Sequence, residues 1–287
     1  MSPAYGSAGA TLHYVDQGAG VPVVFLHPTP LDHHYWLPAV AELGGIRAIL
    51  PDFRGHGASA LGEGLPAGGF ARVPDAPVLT MAQLAADVLA LLDALSIEKA
   101  VFAGCSIGGY VLLELWRQAP QRMRGLAFVC SKPQADGEPA LAKRVESIAK
   151  VRAEGVEGFF DTMASTLLGA TVRRERPEMI GEVRARMKLT AEAVVAVQAG
   201  LAARPDSLPT VKTINVPVLS VAGGEDGGVT PADMEAFAQA SGGCTSHVLP
   251  DAGHLAACEQ PERVAELLGD WLGRFAVSLQ PSAGSLG

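Results

Sequence analysis

The chain has 287 residues, 48% of them hydrophobic and 18% charged, with a formal net charge of -8. That length suits one large α/β domain carrying an insertion, and the acidic balance argues against a nucleic-acid partner, which requires a basic face. No run approaches the roughly 18 unbroken apolar residues of a membrane helix, and the N-terminus lacks the basic start and apolar stretch of a secretory signal, so a cytoplasmic protein with no membrane partner is expected.

Short β-branched runs alternate with longer helical patterns along the chain, which predicts βαβ units and a mostly parallel central sheet flanked by helices. Strands are expected at 11–16, 21–26, 46–51, 99–104, 124–130, 216–223 and 245–250. Residues 60–78 form a Gly/Pro-rich loop longer than a βα connection needs, equally consistent with a functional loop and with a tolerated surface insertion. The stretch "TMAQLAADVLALLDAL" then repeats its apolar residues at helical spacing behind a Thr80/Gln83 capping box. Residues 132–210 read as helices without a strand, a helical cap inserted into a core formed by 1–131 and 211–276. Its charged segment "RRERPEMIGEVRARMK" reads as a solvated face. Pro261 and Glu262 mark the start of a last helix, and the tail 277–287 reads as disordered. Cys105, Cys130, Cys244 and Cys258 show no paired or zinc-type spacing and are expected to be buried free thiols.

The segment "AGCSIGGY" sets Ser106 between Gly104 and Gly108, after a predicted strand and before a predicted helix. A turn this tight needs small neighbours and lifts the central hydroxyl clear of the sheet, as a nucleophile requires. The bland alternative is one more serine in a glycine-rich chain. A serine hydroxyl needs a base, and the base needs a carboxylate. Asp226 follows the strand at 216–223 and His254 follows the one at 245–250, in the order expected for this turn. Glu225 and Asp251 are the competing carboxylates. The N–H of Ile107 is one expected oxyanion donor. The second falls in "HPTPLDHHYW", where Pro28 and Pro30 have no N–H and Thr29 does.

The motifs "LHPTPLDHHYW", "PDFRGHGAS", "GCSIGG", "GEDGGVTP" and "GHLAACEQPE" together identify the chain as resembling the α/β-hydrolase superfamily, and within it the esterase and 3-oxoadipate enol-lactonase branch. The family usually has His-Gly where this chain has His27-Pro28, and the donor role falls to the residue after Pro28. The resemblance implies that Asp52, Arg54 and His56 hold the floor of the site together, and that neither cofactor nor metal is needed. His33, Trp36, Phe159, Phe160, Met163 and Leu167 are candidates for the pocket wall, with core packing as the alternative for each apolar one.

The expected activity is hydrolysis of a small carboxylic ester or lactone through Ser106, His254 and Asp226 and an acyl-enzyme. The same residues would serve C–C bond hydrolysis, perhydrolase or haloperoxidase-like chemistry, thioester cleavage or acyl-homoserine lactone opening, and a non-catalytic ligand-binding relative is the alternative from another class.

Overall fold

The apolar runs become the strands of one sheet in a computed structural model that describes residues 3–276, so the predicted disordered tail lies outside the described residues. The strands are β1 (Ala4–Ser7), β2 (Ala10–Gly18), β3 (Val21–Leu26), β4 (Ile46–Pro51), β5 (Ala100–Cys105), β6 (Met123–Val129), β7 (Val218–Gly223) and β8 (Cys244–Leu249), in the order β1-β2-β4-β3-β5-β6-β7-β8. β1 and β2 run antiparallel at one edge, and β3 through β8 are parallel to one another and to β4. Every residue of β5 and of β7 is buried, as parallel strands covered on both faces must be. β1 was not expected from the sequence.

The helices are α1 (Leu37–Ala41), α2 (Met81–Ala94), α3 (Ile107–Gln118), α4 (Glu138–Glu154), α5 (Glu157–Leu167), α6 (Ala170–Glu175), α7 (Glu178–Arg186), α8 (Ala191–Ala202), α9 (Leu208–Val211), α10 (Pro231–Met234), α11 (Ala256–Glu259) and α12 (Pro261–Ala276). α2 packs on α3 and α1 packs on α12, so the sheet is flanked by helices. α4 through α9 all stand between β6 and β7 as a helical insert, in which α4 packs on α8 and α5 on α7. Among the described residues no helix is long and apolar enough to cross a membrane.

Only half of the Thr80 capping box forms. Thr80 accepts from the Gln83 N–H at 3.1 Å, but the Gln83 side chain donates to Asp87 instead of turning back. The Gln83 amide thus joins the buried Arg54–Asp87 pair as a further donor to the Asp87 carboxylate.

The long loop at 60–78 carries no helix or strand, only an isolated bridge between Ala67 and Pro77, yet it buries Phe70, Val73, Ala76 and Val78. Beyond it the Leu79 N–H donates to the Ala196 carbonyl of α8 at 3.0 Å. The approach is so close that a Cβ on Gly200 would lie 1.8 Å from the Leu79 carbonyl oxygen. The second half of the loop therefore meets the insert, with Arg72 paired to Glu138 and Asp75 to Arg152 of α4, while most of 60–69 is exposed.

Candidate active site

Ser106 occupies the turn between β5 and α3 with φ 54° and ψ -117°, a left-handed conformation unfavourable for any residue with a Cβ. The turn closes because its flanks have no side chains. A Cβ on Gly104 would lie 2.5 Å from the Gly108 carbonyl carbon, and one on Gly108 would lie 2.4 Å from the Leu26 carbonyl oxygen. The Ser106 N–H donates to Val129 at 3.1 Å, and its carbonyl accepts from Gly109, Tyr110 and the Ser131 hydroxyl. The backbone is fixed on both sides while the hydroxyl stands at the N-terminus of α3.

Asp226 lies in the loop after β7 and His254 in the loop after β8. His254 Nδ1 and Asp226 Oδ2 are 2.6 Å apart, and both residues are buried. A carboxylate only accepts, so Nδ1 carries the proton and Nε2 is left as the basic nitrogen. The other Asp226 oxygen accepts from the N–H groups of Gly228 and Val229 at 2.8 and 3.0 Å. Burial opposes the charge on Asp226, but the His254 ring and these two N–H groups hold its carboxyl below the ordinary aspartate range. The competing carboxylates are engaged elsewhere or exposed. Glu225 accepts from the N–H and the hydroxyl of Thr171, both at 2.7 Å, and Asp251 is exposed.

The loop after β3 is anchored from below. Thr29 is buried, and its hydroxyl donates to His56 Nε2 at 2.9 Å while His56 Nδ1–H donates to the Arg54 carbonyl at 2.8 Å. Complete burial drives the His56 pKa down to about 3, so the ring stays neutral and keeps Nε2 as an acceptor. His27 is fixed in the same tautomer, donating from Nδ1 to Pro28 and accepting the Phe53 N–H at Nε2. Asp52 accepts from the backbone and the ring of His33, at 2.9 and 2.8 Å, and from the Ala58 N–H. Burial alone would lower the His33 pKa, yet its bond to Asp52 and the charges of Asp52 and Asp32 raise it. Among the described residues, neither the Thr29 nor the Ile107 N–H donates to a protein group.

Replacing Thr29 with valine keeps the shape and removes the hydroxyl, leaving His56 Nε2 buried without its donor. We expect a loss of about 1–3 kcal/mol of stability, read as a fall in the chemical-denaturation midpoint at unchanged slope. An unchanged midpoint would show that water replaces the hydroxyl.

Two expectations need correction. Arg54 does not hold the floor: it forms a buried pair with Asp87 at 2.6 Å and donates to the Ser7 carbonyl, tying β1 to α2. Trp36 does not line a pocket. It is fully buried, with Nε1 donating to the Leu26 carbonyl at 3.0 Å and its ring against Phe25 and Tyr35, so it packs in the core. His33 is largely buried against Asp52. Phe160 is 2% exposed, beneath the Arg184 guanidinium, while Phe159, Met163 and Leu167 are partly buried against the core. All four cysteines are free, three of them buried and Cys244 half-buried. Asp32, His33 and His34 bring potential ligand atoms within 4.8 Å of one another, but Nδ1 of each ring already bonds a carboxylate.

Sequence reasoning missed Glu259. This buried carboxylate follows His254 in "GHLAACEQPE" and accepts from the N–H groups of Gly253 and Leu255 on either side of the histidine. A single acid within an otherwise apolar run was the available signal.

A serine at a strained strand-to-helix turn, with a buried His–Asp pair delivered by the loops after the last two strands of a mostly parallel sheet, defines the class of hydrolases built on a nucleophile elbow. Comparison with known proteins places the chain in one family: residues 23–267 match the alpha/beta hydrolase family, and the protein belongs to it. It is 29% identical to 3-oxoadipate enol-lactonase 1 of Acinetobacter baylyi over 262 residues, covering 87% of this chain and 88% of that one. Among solved structures it resembles a thermophilic esterase from Thermogutta terrifontis, with TM-score 0.83 and 32% identity over 93% of this chain and 94% of that one. It also resembles the enol-lactonase from Burkholderia xenovorans, with TM-score 0.82 and 26% identity over 94% and 100% of the two chains.

Proposed function

We propose that the protein hydrolyses a small carboxylic ester or lactone through Ser106, His254 and Asp226. The observation that carries this reading is the buried 2.6 Å bond between His254 Nδ1 and Asp226, in the same molecule as a serine held at positive φ at the start of α3. His254 Nε2 takes the Ser106 proton as Oγ attacks the carbonyl carbon. The resulting oxyanion is stabilised by the N–H groups of Ile107 and Thr29. His254 then protonates the leaving alkoxide, which in a lactone stays attached to the acyl chain. Water deprotonated by His254 attacks the acyl-enzyme, and Ser106 leaves with its proton restored. Asp226 stays ionised throughout and stabilises the imidazolium. In this reading the helical insert roofs the pocket: the Leu167 carbonyl at the end of α5 accepts the His254 N–H at 2.9 Å, which supports a roof drawn from α5, with Phe159 and Met163 as its apolar candidates.

The ester and enol-lactone activities named for the relatives supply the substrate class. The test is initial-rate hydrolysis of a p-nitrophenyl ester series from acetate to decanoate, beside an enol-lactone and an acyl-homoserine lactone. Turnover by the wild type on esters or lactones is expected, with preference falling as the acyl chain outgrows a covered pocket. A folded wild type that turns over neither class would move the reading to C–C, thioester or perhydrolase chemistry on the same residues.

A further inference from the structure

We propose that Glu259 is a positioning residue for the general base, its one buried carboxylate tying the backbone on both sides of His254 to the helical insert so that insert and base move as a unit. Oε2 accepts the Gly253 N–H and the Gly169 N–H, each at 2.9 Å, and Oε1 accepts the Leu255 N–H at 3.0 Å. Gly169 belongs to the insert, between α5 and α6, whereas Gly253 and Leu255 bracket His254. The inference rests on the proposed role of His254 and adds to it what holds that residue in place.

The rest of the base loop is held in the same way. The His254 N–H donates to Leu167 of the insert at 2.9 Å. The Cys105 thiol is 3.6 Å from the His254 carbonyl, and the Cys130 thiol is 3.5 Å from the Gly253 carbonyl. Burial pushes both thiols well up, so they remain protonated donors. Beside these contacts, Glu225, next to Asp226 in the chain, accepts twice from Thr171 of α6. Both loops that carry the His–Asp pair are thus bonded to one short segment of the insert, Leu167 to Thr171.

The approach at this junction leaves no room for a side chain. Gly169 has φ -62°, open to any residue, but a Cβ there would lie 2.6 Å from Glu225 Oε2 and 2.8 Å from the Gly253 nitrogen. Glycine is required by contact, not by backbone conformation. A carboxylate 2% exposed is costly to desolvate, and burial raises the Glu259 pKa despite its three N–H donors. A neutral residue would serve a merely structural turn at lower cost. The charge-assisted bonds instead give a stiff, directional anchor.

The test approaches the junction from both sides, with Glu259→Gln and Gly169→Ala. Gln keeps the shape but places an NH₂ against N–H donors, and Ala pushes the insert off the base loop. Reactive serine is titrated with a fluorophosphonate, so that turnover is expressed per titrated Ser106 and not per milligram. Each variant should lose roughly 10- to 100-fold in kcat per titrated serine with KM within about 2-fold, because displacing a base by an ångström acts on the transition state. Wild-type turnover per titrated serine, whether many or few molecules titrate, would overturn the proposal. Loss of titration together with loss of the folded state in both variants would make Glu259 a structural clamp and overturn it equally. Failure of wild-type Ser106 to label is a separate result, which sinks the hydrolase reading itself.

Discussion

Replacing Ser106 with alanine should lower kcat on an ester by on the order of 10⁶-fold while leaving the protein folded, because the proposed acyl-enzyme forms on its hydroxyl. The residual rate would come from binding and the oxyanion donors alone. The same position carries a second prediction with the opposite sign for stability. At φ 54° and ψ -117° a residue with a Cβ is strained, by about 1–3 kcal/mol. Ser106→Gly relieves that strain, because glycine meets no penalty at positive φ. Scanning calorimetry should therefore place the Ser106→Gly midpoint at least about 2 °C above that of Ser106→Ala, which keeps the Cβ. Equal midpoints would show that the surrounding hydrogen bonds, from Ser131, Gly109 and Tyr110 to the Ser106 carbonyl, relax the turn without cost. A stable glycine variant with no activity would show directly that a strained conformation is kept for function.

Which parts of this molecule were legible in the sequence follows from the range of the forces involved. Strands such as β3 and β5 are buried on both faces and read as unbroken apolar runs, so their positions were visible to within a residue or so. β1 was invisible because Ala4–Ser7 has too few residues for alternation to show, and its anchor is a distant one, the Arg54 guanidinium on the Ser7 carbonyl. Arg54 was misassigned for the same reason. Its motif neighbours Asp52 and His56 act on the loop after β3, but its own partner Asp87 lies 33 residues away on α2. The Ser, Asp and His candidates stood out because each sits after a readable strand. Glu259 did not, since the one hint, an acid in an apolar run, does not display its partners, which are backbone N–H groups. Trp36 shows the limit for apolar side chains: pocket wall and core are the same residue type, and only the exposure of the folded chain separates them.

Asp226→Asn should cost on the order of 10⁴-fold in kcat at neutral pH with the geometry of the site retained. The reason lies in how the two carboxylate oxygens are used. Oδ1 accepts the Gly228 and Val229 N–H groups, and Oδ2 accepts His254 Nδ1–H. An asparagine must keep its carbonyl oxygen toward the two backbone donors, since turning its NH₂ to them would set donor against donor twice. The NH₂ therefore replaces Oδ2 and faces Nδ1. His254 must then accept at Nδ1 and carry its proton on Nε2, so the nitrogen meant to take the Ser106 proton arrives already protonated. The imidazolium that forms in the transition state also loses its buried counter-charge. Asp251→Asn, at an exposed position in the loop that carries His254, should stay within about 3-fold of wild type, as surface changes away from such contacts do. The pair of variants is compared by kcat on the best ester of the series, with the fold checked by circular dichroism. If Asp251→Asn were the damaging change and Asp226→Asn the silent one, the carboxylate that orients His254 in catalysis would not be the one bonded to it at 2.6 Å, and the assignment of Asp226 would fall.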